Sequence, residues 1–258
     1  MMGAMKRTLL LLVAALSALA CRSSSGLGDL PDGRAVVARF VEASGLGDEN
    51  ARPYTSRGRV LMPELGLEGT FVQSAAPPDR YDMRIDLGNR GTTRTAFRDG
   101  RGWVESADTG VVWLEGAEAL QMRLQAAFDA PAKPGELYRS VEQKGVVEFL
   151  GVTCFEVEVV ARDLDGGDAP ETRLARTTLE YYSVDTGFLR GTRTTAVTHL
   201  GEIEVLSELS DYRRFGDQWV ACRSVQRTFG STMEFLIDEL TFDTVEPGAF
   251  EFPPGTRR

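Results

Sequence analysis

The side chains whose types could support chemistry are few: Cys154 and Cys222 in the body of the chain, the single histidine His199, and the acidic run Asp163, Asp165 and Asp168. No CxxC occurs, and two distant cysteines with one histidine do not have the spacing of a zinc cage. Both cysteines sit in predicted strands, Thr153-Cys154-Phe155 and Ala221-Cys222-Arg223. A disulfide between them would need Cα atoms within about 7 Å; the alternative is two small buried residues. His199 stands in Thr198-His199-Leu200-Gly201, at a strand end beside a turn, as a surface or internally satisfied residue. Asp163-Leu164-Asp165-Gly166-Gly167-Asp168 hints at calcium but lacks the distal glutamate of a calcium loop, so it reads as a solvated acidic loop. No G-x-S-x-G, P-loop, G-x-G-x-x-G or H-E-x-x-H pattern is present. These features predict no catalytic residue, no metal and no cofactor.

A different chemistry is suggested at the start of the chain. Lys6-Arg7 precedes the uncharged run Thr8 to Leu16, followed by Ser17-Ala18-Leu19-Ala20-Cys21. A basic start, a short apolar stretch and small residues at a cleavage point predict a signal peptide over residues 1–20. The run is shorter than the roughly 20 residues a membrane-spanning helix needs. Ala18-Leu19-Ala20 fits an ordinary A-x-A cleavage site, which would leave a soluble periplasmic protein. With Cys21 it also resembles a bacterial lipobox, in which the cysteine is lipidated and becomes the new N-terminus. Ala18 stands where the usual lipobox has leucine. Residues 21–32, with Arg22-Ser23-Ser24-Ser25-Gly26, read as a flexible tether, which favours the anchored form. Arg22, where an aspartate would signal inner-membrane retention, favours the outer membrane.

The whole chain carries 29 Lys+Arg and 38 Asp+Glu, a net −9. Removing residues 1–20, which hold Lys6 and Arg7, takes this to −11. A chain this acidic has no electrostatic footprint for nucleic acid.

Positioning elements follow from periodicity. Val36, Val37, Phe40 and Val41 form a helical stripe, with Asp32 as N-cap and Gly45 as stop, which predicts a helix over 33–44. Strands then dominate. Tyr81, Met83, Ile85 and Leu87 alternate with Asp82, Arg84 and Asp86, giving one apolar and one charged face. Thr92 to Arg98 meets the hairpin signal Asp99-Gly100. Gly102 to Glu105 and Val111 to Leu114 come next. Residues 115–129 change to a helical period, with Leu120, Leu124 and Phe128 in one stripe and Met122 off it. Strands resume from Val146 and run to Phe242. About eleven strands, at the spacing of roughly 8–12 residues seen in sandwiches and barrels, predict one β-rich domain over 33–254. So wide a sheet with few helices to cover it must curl.

The order of several short stretches resembles the LolA/LolB-like family of periplasmic lipoprotein-sorting proteins. These are Gly58-Arg59-Val60, Leu67 to Phe71, Ala76 to Tyr81, Phe97 to Trp103, Tyr181 to Leu189, Asp211 to Gly216 and Phe250-Glu251-Phe252-Pro253. The resemblance implies a mainly β (α+β) fold: an unclosed, strongly curved antiparallel half-barrel with two or three short helices in or across its hollow. It also implies an acyl chain of a lipid or lipoprotein as ligand. No functional arginine of the carriers aligns here. On this view Met83, Ile85, Phe97, Trp103, Trp113, Leu120, Leu124 and Phe128 line an apolar hollow; the plainer alternative is a packed core. Two functions are carried forward. One is an envelope protein, anchored through Cys21, that binds an acyl chain without catalysis. The other is a scaffold lipoprotein with a self-filled core that meets another envelope protein.

Overall fold

The computed structural model describes residues 30–47, 52–127, 137–162, 176–198 and 201–254. The first element is helix α1 (Gly33–Ser44). Its limits are set locally. The Asp32 side chain accepts from Arg34 N at 3.2 Å. At the other end Gly45 takes φ 72, and Leu46 N donates to Val41 O at 3.1 Å.

Thirteen strands follow among the described residues. They are β1 (Tyr54–Met62), β2 (Leu67–Ala76), β3 (Arg80–Asp86), β4 (Thr92–Arg98), β5 (Arg101–Ser106) and β6 (Gly110–Trp113), then helix α2 (Gly116–Ala126). After it come β7 (Tyr138–Phe149), β8 (Val152–Ala161), β9 (Thr177–Ser183), β10 (Leu189–Thr198), β11 (Gly201–Phe215), β12 (Gln218–Thr228) and β13 (Ser231–Phe242). All pair antiparallel in one sheet, ordered β6-β5-β4-β3-β2-β1-β13-β12-β11-β10-β9-β8-β7. The ends, β6 and β7, do not meet in that order, so the sheet is open.

The sequence predicts about eleven strands; the difference lies mainly around β7. Two register shifts in β7, between Tyr138 and Ser140 and between Gln143 and Gly145, break its period of two. The turn to β8 is only Leu150-Gly151, both at positive φ (50 and 79), so no polar loop marks the boundary.

Curvature is visible in what α2 touches. It packs against β3, β4 and β5, and also against β10. Five strands separate β3 from β10. At about 4.8 Å per strand a flat sheet would hold them about 29 Å apart, beyond the reach of a helix about 10–12 Å wide. The sheet therefore curls around α2. Helix α1 packs on the same, inner face, over β7, β8, β9 and β12. The structure is thus an unclosed, curved antiparallel half-barrel holding two helices in its concavity.

Candidate ligand-holding face

Cross-strand register decides which side chains share the inner face, because directly paired residues point the same way. Val60 of β1 pairs with Phe235 of β13, Gly58 with Phe71 of β2, Phe71 with Ile85 of β3, and Gln73 with Met83. Met233 and Ile237 flank Phe235 at two-residue spacing on the same face. The result is an apolar floor along the four central strands. Val60, Phe71 and Phe235 form its buried base, and Met83, Ile85, Leu87, Met233 and Ile237 pack on it while half-buried. The Phe71 and Phe235 rings meet edge to face at 5.5 Å. Gly58 makes room for this: a Cβ there would lie 2.9 Å from the Phe71 ring and 1.9 Å from Leu236 O.

The floor differs from the surface beneath α1. There Val36, Val37 and Phe40 fill the space over Val157, Val159 and Tyr182, and Val157 is fully buried. Over β3 to β5, α2 sets Met122 and Ala126 against Tyr81 and Phe97. Met83 belongs to both the α2 cluster and the floor, so the two are continuous.

Two neutral polar pairs lie beside the floor. Gln125 Nε2 donates to Tyr81 Oη at 3.0 Å, and Tyr81 Oη lies 3.3 Å from Met83 Sδ. Gln73 Nε2 donates to Tyr54 Oη at 2.9 Å. Burial pushes the Tyr81 and Tyr54 phenols above their ordinary range, with the glutamine contacts pulling the other way. Such a surface can hold a long apolar ligand and offer one or two hydrogen bonds to a polar end. It contains no convergent acid, base and nucleophile. Among the described residues no three His, Cys, Asp or Glu side chains could hold a metal ion.

Comparison with solved structures gives the same architecture. The chain is similar to a domain assigned to outer-membrane lipoprotein sorting from Vibrio parahaemolyticus, at 10% identity and TM-score 0.54, covering 83% of this chain and 94% of that one. It is similar to a LolA superfamily protein from Nitrosomonas europaea, at 9% identity and TM-score 0.55, over 86% and 99% of the two chains. It is also similar to a DUF1329 family protein from Desulfovibrio piger, at 12% identity and TM-score 0.55, over 85% and 95%. The chain shares its fold with these structures, one of which is a LolA superfamily protein. No family model and no curated protein sequence matches the chain.

Within this LolA-like fold the predicted lining residues divide. Met83, Ile85 and Phe97 lie on the inner face. Trp103 and Trp113 do not: Trp103 pairs with Ala96 and with Trp113, one residue out of phase with the Phe97–Gly102 pair. Both indoles project from the outer face, where Phe252 of the C-terminal segment packs 5.3 Å from Trp103 and 6.3 Å from Trp113. Arg101 lies over the Trp113 ring at 4.0 Å. The segment is held by charge. Asp82 accepts from Arg94 Nη2 at 2.6 Å and from Phe250 N at 3.2 Å, and Arg94 Nη2 also reaches Glu251 O at 3.0 Å.

On α2, Met122 rather than the leucines faces the sheet, beside Gly102, where a Cβ would meet Met122 Cγ at 3.1 Å. Leu120 and Leu124, about 160° around the helix from Met122, are half-buried on its far side. Cys154 and Cys222 are free and buried, and β9, β10 and β11 separate their strands, so the disulfide does not form. Cys21, Phe128, His199 and the Asp163–Asp168 run lie outside the described residues. Sequence reasoning missed Phe71, Met233, Phe235 and Ile237 as floor residues. The alternation Met233-x-Phe235-x-Ile237 was a usable signal.

Proposed function

We propose that this protein holds an acyl chain of a lipid or lipoprotein on the apolar floor of its half-barrel, as a non-catalytic binding protein on the periplasmic side of a bacterial cell envelope, in lipoprotein sorting or lipid transport. The observation that carries the reading is the floor itself: five half-buried apolar side chains over three buried ones, on the concave face beside α2. Two of them, Met83 and Met233, can adapt to chains of different shape. The N-terminal pattern ending in Cys21 supports export and a lipid anchor in the outer membrane. The lipoprotein-sorting assignment of the Vibrio domain is in keeping with it.

Native mass spectrometry of residues 22–258 purified from a bacterial periplasm, with lipid analysis of an organic extract, tests the proposal. The expected result is a stoichiometric adduct that extraction removes and that Ile85→Asp and Met233→Asp abolish without unfolding the protein. A mass that stays bare when lipids and lipopeptides are offered would reject it. That outcome would favour the second reading, an envelope scaffold that meets another protein. The tight packing of α1 on β7 to β9, which fills that part of the concavity with the chain's own side chains, supports the second reading.

A further inference from the structure

A carboxyl group lies within the apolar packing under α1. Glu180 of β9 pairs with Val157 of β8 and is 8% exposed. Its inner-face neighbours in the same cluster are Tyr182, Tyr138, Val157 and Val159, covered by Val36, Val37 and Phe40 of α1. Tyr182 Oη donates to Glu180 Oε2 at 2.5 Å, and the Tyr138 hydroxyl is a second donor. The facing groups can be named element by element. From β7 the titratable group is Tyr138, and from β9 it is Tyr182, with Tyr212 of β11 acting on Tyr182. β8 presents Val157 and Val159, β10 presents Thr192, and α1 presents its three apolar side chains. On β9's own side, Arg176 is buried four residues upstream. The causes that set the ionisation of Glu180 are its burial and the hydrogen bonds of the two phenols.

We propose that α1 is a proton-controlled cover: with Glu180 protonated and held by Tyr138 and Tyr182 the helix seats on β7 to β9, and ionisation of Glu180 releases it. The physical reason is that a carboxylate under an apolar helix is better hydrated once the helix lifts, whereas the neutral acid is not. Burial raises the Glu180 carboxyl from its ordinary 4.5 to about 7, with both tyrosine hydrogen bonds pulling it down. The closed form therefore holds a proton that the open form releases. Opening is unfavourable at low pH and becomes more favourable as pH rises, by about tenfold per unit up to the closed-state value and level above it. The proposal does not depend on what the floor binds.

The test is hydrogen exchange of the α1 amides in residues 22–258, corrected for the intrinsic exchange rate, from about pH 5 to about pH 8.5. Protection of residues 33–44 should fall about tenfold per pH unit to about pH 7 and then flatten, while β1 to β3 stay protected. Glu180→Gln should make α1 protection independent of pH. Tyr182→Phe, which removes a donor to the carboxylate, should move the midpoint to higher pH. The proposal fails if wild-type α1 protection does not change with pH. It also fails if all strands lose protection together with α1, which would be global unfolding. A folded Glu180→Gln protein that keeps the wild-type slope would overturn it as well.

Discussion

At Asp82 a single carboxylate organises the outer face. It is 3% exposed and meets Arg94, itself only 14% exposed in its side chain, together with Arg84 and the Phe250 amide. Removing one member of such a pair leaves a charge poorly hydrated and without its partner. Asp82→Ala should cost about 3 kcal/mol, read by urea unfolding. Asp82, Arg84 and Asp86 are legible in the sequence as the charged side of an alternating strand. That this side would be covered by residues 248–252 is not legible, because nothing local marks a terminal segment as the partner of a particular strand.

At the scale of elements, the C-terminal segment and the β4–β5 hairpin form one unit. Trp103 is fully buried beneath Phe252 and Trp113. Phe252→Ala should open the indole to water. Tryptophan emission should shift to the red, and stability should fall by about 3 kcal/mol, with α1 unaffected. The face that Trp103 occupies is set by the turn before it. Asp99-Gly100, both at positive φ, make a two-residue turn that pairs Arg98 with Arg101. Phe97 must then pair with Gly102, and Trp103 falls on the opposite face. A shift of one residue reverses the face of every side chain in a strand, so counting aromatic residues on neighbouring strands could not substitute for counting across the turn.

For the molecule as a whole, the acyl-binding reading makes a quantitative statement. Transfer of methylene groups from water to the floor contributes about 0.8 kcal/mol each, so affinity for a fatty-acid series should rise about fourfold per CH₂ until the floor is filled. Displacement of a fluorescent fatty acid would measure it. The floor carries no charge, so affinities should hardly change with salt. A steep loss with salt would mean that charges on the outer face, not the floor, bind the ligand.

Local signals determined much of this protein by themselves. Asp32, the apolar stripe and Gly45 delimit α1, because capping and left-handed glycine act within a few residues. Period-two runs and Gly-rich turns set most strands, because the pleat alternates side chains whatever lies on either side. The first part of strand β7 escaped, since its bulges erase the period. Only the tertiary structure decided the rest. The curl brings β10 to α2 across five intervening strands, the two helices occupy separate parts of the concavity, and the central floor between Leu87 and Ile237 stays half-buried. Those outcomes depend on twist accumulated over thirteen strands and on which faces two helices cover. No window of neighbouring residues contains that sum, and the burial of Glu180 under α1 follows from it.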